Sequence, residues 1–121
     1  MKTIEQVLES VAGADVFLGA TVDSVHTERL SGETPLHVCA KWGDAEAIRV
    51  LVAHGAVVGK PGEDNNTPLH YAAMFGHLAA VRELVAHGAP NTTDRYGNYP
   101  VDLAAEHPEV QVFLRSSGYA A

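Results

Sequence analysis

The chain has 121 residues and a formal net charge of −7. That length suits one domain with a modest core. The acidic balance argues against a nucleic-acid backbone as partner, which would need a basic stripe. Charge is uneven along the chain: residues 1–33 carry −4, residues 34–66 carry −1, residues 67–99 are neutral and residues 100–121 carry −2. A single cysteine, Cys39, excludes an intrachain disulfide.

From the N-terminus, Ile4, Val7, Leu8 and Val11 fall on one helical face, with Glu5, Gln6, Glu9 and Ser10 opposite. This predicts an amphipathic helix that caps the N-terminal end of the core. Residues 1–10 hold no apolar core of a secretion signal, and Asp15 interrupts the apolar stretch after it, so neither a signal peptide nor a membrane span is expected. A cytoplasmic location is the simplest expectation. Residues Asp15–Glu33 then read as an elongated hairpin, with Leu30, Ser31 and Glu33 at its tip.

The next segment is written twice. Thr34–Ala56 recurs as Thr67–Ala89, 33 residues later, with 14 of 23 positions identical. A fixed period of this length means stacked supersecondary units. In each copy a threonine can cap a helix and a proline fits its first turn, where no amide donor is needed. The predicted helices are Thr34–Trp42, Ala45–His54, Thr67–Phe75 and Leu78–His87. Gly43 and Gly76 separate the members of each pair. Ala47, Ile48, Leu51 and Val52, matched by Ala80, Val81, Leu84 and Val85, form a buried face. His54–Gly55 and His87–Gly88 close the second helices. Val57–Asn66, rich in Gly, Asn and Asp, reads as an extended hairpin. Small residues at 39–40 recur at 72–73 and 104–105, which predicts close helix packing.

A third copy departs from this pattern. Asp94–Pro100 leads into Val101–Ala105, but the glycine turn is replaced by His107-Pro108. Pro108 can open a last helix with Val110, Phe113 and Leu114 as its apolar face. A shortened unit with a polar outer face ends a solenoid core.

The TPLH tetrads at 34–37 and 67–70, the Gly-Asp and Gly-His pairs at 43–44 and 76–77, and the LVAHGA closings resemble the ankyrin repeat. The resemblance covers Arg29–Ala121. It implies an all-α solenoid of helix pairs with projecting β-hairpins, used as a binding scaffold without shared catalytic chemistry. The expected organisation is one continuous domain: residues 1–33 as capping helix and elongated hairpin, 34–66 and 67–98 as repeats, and 99–121 as a degenerate capping repeat. It also implies that the TPLH histidines, His37 and His70, bond between repeats.

Seven histidines raise the question of a metal site. His37 with His70, and His54 with His87, are each explained by the repeat. His26, His77 and His107 form no pair at zinc spacing. His37 and Cys39 stand two apart and point away from each other on a helix, so a Cys-His nucleophile is not expected. No phosphate-binding or nucleophile-elbow motif is present. Neither a cofactor nor a metal is therefore expected.

By the resemblance, the positions ending each first helix face a concave groove together with the loop tips. These are Lys41 and Trp42, Met74 and Phe75, then Glu106 and His107. The tips add Glu63, Asp64 and Asn66, then Arg95, Tyr96 and Asn98. Trp, Tyr, Met and Phe are enriched in interface cores. The expected function is non-catalytic binding of a protein partner by a monomer, as regulator or adaptor. An inhibitor or immunity protein that neutralises a basic enzyme or toxin is the alternative, since an acidic surface steers onto a basic target. An enzyme is the third class, with no motif behind it. No contact with nucleic acid or membrane is expected.

Overall fold

The structure, a computed structural model, describes residues 2–14, 22, 24–29 and 32–120. Helix α1 spans Ile4–Ala12. Thr3 caps it reciprocally: its hydroxyl accepts the Gln6 amide, and the Gln6 side chain accepts the Thr3 amide. The remaining helices are α2 (Pro35–Trp42), α3 (Ala45–Ala53), α4 (Pro68–Met74), α5 (Leu78–Ala86), α6 (Pro100–Leu103) and α7 (Pro108–Ser116). The four helices expected from the repeat are present, each within one residue of the expected ends.

Proline opens α2, α4 and α6, where its missing N–H leaves nothing unsatisfied. The Asp44 carboxylate caps α3 by accepting the Ala47 amide at 3.0 Å. His54 and His87 sit at the ends of α3 and α5, as expected.

Two layers result. Helices α2, α4 and α6 pack side by side in one, and α3, α5 and α7 in the other. Helix α1 rests on α3 and α2, where the second helix of a preceding unit would lie. Its Val7 and Val11 are buried. The core is written with the repeat's period: Leu36 and Leu69, Ala40 and Ala73, Ile48 and Val81, Leu51 and Leu84 are all buried. The period fails at the end. Ala104 is buried but Ala105 is exposed, because α6 stops at Leu103 and the chain turns away before Ala105 can reach the core.

The loops differ from the expected β-hairpins. No strand occurs among the described residues. Among the described residues an amide-to-carbonyl bond runs across the base of each loop: Arg29 to Glu33 at 2.9 Å, Gly62 to Asn66 at 2.8 Å, and Asp94 to Asn98 at 2.9 Å. In the middle loop Glu63–Asn65 forms a 3-10 turn, with φ of +55° at Asp64 and +60° at Asn65. Left-handed backbone cannot continue an extended ladder, so pairing ends after one bond. The tip expected before Thr34 falls largely outside the described residues, as do Leu30, Ser31 and most of Asp15–Asp23. Glu33, expected at that tip, is buried beside α2.

Gly43 and Gly76 each hold a left-handed φ, +75° and +72°, and each faces a histidine of the next unit. A Cβ at Gly43 would come within 2.5 Å of the His77 ring, and one at Gly76 within 2.3 Å of the His107 ring. Gly88 has a similar φ of +80° and open space around it. Gly76→Ala should therefore cost clearly more than Gly88→Ala, whose cost is the backbone strain alone, about 1–2 kcal/mol. Urea unfolding of both variants checks this. In the same assay Leu84→Ala, which empties a fully buried site, should cost about 2–5 kcal/mol.

Candidate functional site

The capping threonines of α2 and α4 set up the inner edge of the candidate site. Three residues beyond each stands a TPLH histidine. The Thr34 amide donates to Nδ1 of His37 at 3.0 Å, and the Thr67 amide donates to Nδ1 of His70 at 3.1 Å. Nδ1 accepting leaves the proton on Nε2. That nitrogen donates to a carbonyl of the next loop: Asn66 for His37 at 3.2 Å and Asn98 for His70 at 3.0 Å. Both rings are fully buried. Burial lowers the pKa of both; at His37 the nearby Glu33 opposes that shift, and at His70 the bond to Asn98 does.

A second histidine ladder was not legible in the sequence. His77 and His107 stand immediately before α5 and α7. Their Nε2 atoms reach back to carbonyls at the end of the preceding first helix, Lys41 at 2.8 Å and Met74 at 3.2 Å. The signal was positional: both are the last residue before a second helix. His107 thus takes the place of His77, not of Phe75, because the turn of the third unit is two residues shorter and lacks the glycine.

At the outer edge, α2 and α4 end in Trp42 and Phe75, 47% and 50% exposed. These are equivalent positions on adjacent helices of one layer. Phe75 lies 6.4 Å from the His77 ring, which itself holds the Lys41 carbonyl, so the two aromatic ends are linked through one side chain. Met74 is half-buried beside Phe75. Tyr96, at the next loop tip, is 70% exposed, with the Arg95 guanidinium 5.9 Å from its ring.

The floor between Trp42 and the middle loop is polar. Lys41 donates to Glu33 Oε1 at 2.9 Å and lies 4.4 Å from the centre of the Tyr71 ring. The Tyr71 hydroxyl donates to the same oxygen at 2.7 Å. Burial, then this bond, raises the tyrosine pKa well above its usual value, and Glu63 and Asp64 are close enough to add to the shift. Asp64 joins the third loop through Arg95, whose guanidinium lies 3.4 Å from its carboxylate and whose amide donates to its carbonyl at 2.7 Å.

The structure therefore links Lys41 to Tyr71, places Glu63 and Asp64 near enough to act on that ring, and joins Asp64 to Arg95. Asn66 and Asn98 are half-buried, and their backbone carbonyls receive the buried histidines. Glu33 and Tyr71, which organise the floor, carried no sequence signal, since neither matches a repeat partner of the same type. Cys39 is buried and its thiol is pushed up to about 12 by burial, so it is a packing residue and not a nucleophile.

Comparison with known families matches the chain to ankyrin repeats, in three copies, over residues 5–94 and 57–119. The chain belongs to the ankyrin-repeat family, whose members generally mediate protein–protein interaction and are typically non-catalytic. No curated protein matches it. No helix among the described residues is long and apolar enough to cross a membrane.

The buried histidines set a pH dependence. Their folded pKa values lie below the usual 6.5. Below that value the unfolded chain binds protons that the folded one resists, so stability is complete above it and falls as pH drops toward the folded pKa. Urea midpoints should begin to decline as pH falls through about 6.5, above the range of ordinary carboxylates. His70→Gln should be less stable at neutral pH but show a shallower decline.

Proposed function

We propose that the chain is a non-catalytic binding module that engages a protein partner through Trp42, Met74 and Phe75, with Tyr96 at the next loop tip. Lys41, Glu63, Asp64 and Arg95 form the polar rim. The observation that carries this reading is the exposure of Trp42 and Phe75, 47% and 50%, at repeating positions where the core is already filled by Leu36, Leu69, Ile48 and Val81. Two half-exposed aromatic rings on adjacent units serve the fold poorly and serve an interface well. A preformed groove limits the ordering cost of association. Asn66, Asn98 and His107 support the surface from within.

An inhibitor of a basic enzyme or toxin is the second reading. The cations around the groove are already paired, Lys41 with Glu33, Lys60 with Glu28 and Arg95 with Asp64. The excess charge of −7 thus acts on a partner without local cancellation. We infer a cytoplasmic monomer acting as regulator or adaptor in the first reading, and a tight one-to-one complex in the second.

The test is affinity capture with the native chain, followed by binding measurements on the captured protein. Trp42→Ala should leave the circular dichroism unchanged and lose about 2 kcal/mol of affinity, roughly thirtyfold. Glu63→Lys should mainly slow association and change its salt dependence. Unchanged affinity in Trp42→Ala would remove the aromatic stripe from the interface.

A further inference from the structure

Glu33 is fully buried, yet its two oxygens are unequal. Oε1 accepts from both Lys41 and Tyr71, while Oε2 is buried without a hydrogen-bond partner. Gly62 packs against Oε2 so closely that a Cβ there would lie 2.5 Å away. Nδ1 of His37 lies 3.7 Å from Oε2. In the neutral ring Nδ1 accepts the Thr34 amide, stands 2.9 Å from the Thr34 hydroxyl, and has no proton to give to either oxygen.

We propose that Glu33 and His37 form an acid-responsive latch on the concave site: a proton on His37 Nδ1 engages the unpartnered Glu33 oxygen and releases Lys41 into the groove. The reasoning is competition for one carboxylate. At neutral pH the full positive charge on Glu33 among the described residues is Lys41, whose side chain is 33% exposed. Protonation turns Nδ1 from acceptor to donor, breaks its bond with the Thr34 amide, and places a second cation beside Glu33. Two cations on one buried carboxylate weaken each other, and the one that can reach water leaves. Lys41 then stands beside Trp42 as a free charge.

The charged and titratable groups facing His37 are few. Glu33 faces it from the loop before α2, Lys41 from its own helix and Tyr71 from α4, while the following loop presents the carbonyls of Lys60 and Asn66. His70 has the same amide and carbonyl bonds but Asn66 where His37 has Glu33, so it is an internal control. The latch rests on the groove reading above, because it names the regulation of that site.

The test needs no partner. Imidazole resonances of His37 and His70 are followed by NMR against pH in the native chain, Lys41→Met and Glu33→Gln. Lys41→Met should raise the His37 pKa, Glu33→Gln should lower it, and His70 should move in neither. The Lys41 ammonium protons, protected from exchange while paired, should lose protection at the His37 midpoint. A His37 pKa indifferent to Lys41→Met overturns the latch, as does unfolding of the native chain before His37 takes up its proton. Either failure leaves the Trp42→Ala measurement untouched, and loss of the interface reading leaves the coupling between His37 and Lys41 standing.

Discussion

One bond type ties the molecule together: a buried histidine Nε2–H donating to the carbonyl at the inner end of the next loop. His37 holds Asn66 and His70 holds Asn98. Each ring also accepts the amide of its own capping threonine, so one side chain fixes a helix start and the following loop at once. Without it, a buried amide and a buried carbonyl would both lose their partner, at about 1–3 kcal/mol for each group left unsatisfied. A repeat has no closed core of its own, so this register between neighbours decides whether Leu36, Leu69 and their counterparts meet in one continuous core.

The surface inherits that register. His77 and His107 extend the same logic to the other end of the first helices, by holding the carbonyls of Lys41 and Met74. Trp42 and Phe75 therefore leave the layer at equivalent places. In the proposed function, two side chains from units 33 residues apart act as one patch. The polar floor of Glu33, Lys41 and Tyr71 is specific to the first interface, and it gives that end of the groove a chemistry that the second end lacks.

Much of the fold was legible because the sequence repeats. A duplicated TPLH and a duplicated LVAHGA fix helix starts and ends, and period-33 apolar positions fix the core. The loops were less legible, since Gly, Asn and Asp suit both a hairpin and a left-handed turn; the positive φ at Asp64 and Asn65 decided for the turn. The third unit misled by two residues. Counting onward from Phe75 reaches His107, but α7 starts eight residues after the opening proline of its unit where α3 and α5 start ten after theirs, so His107 stands at the start of α7. Glu33 was placed at a loop tip by alignment with the later repeats, whereas it is buried with Lys41 and Tyr71 converging on it from two helices. Pairwise convergence of unlike residues leaves no periodic trace.

Trp42 is the single tryptophan of the chain and half-exposed, so its fluorescence reports directly on the proposed interface. The captured partner is titrated into the native chain while tryptophan emission is followed, with a tryptophan-free or spectrally corrected partner. The account predicts a blue shift that saturates at one-to-one stoichiometry, as the indole leaves water. Binding that proceeds to saturation with the emission of Trp42 unchanged would contradict it.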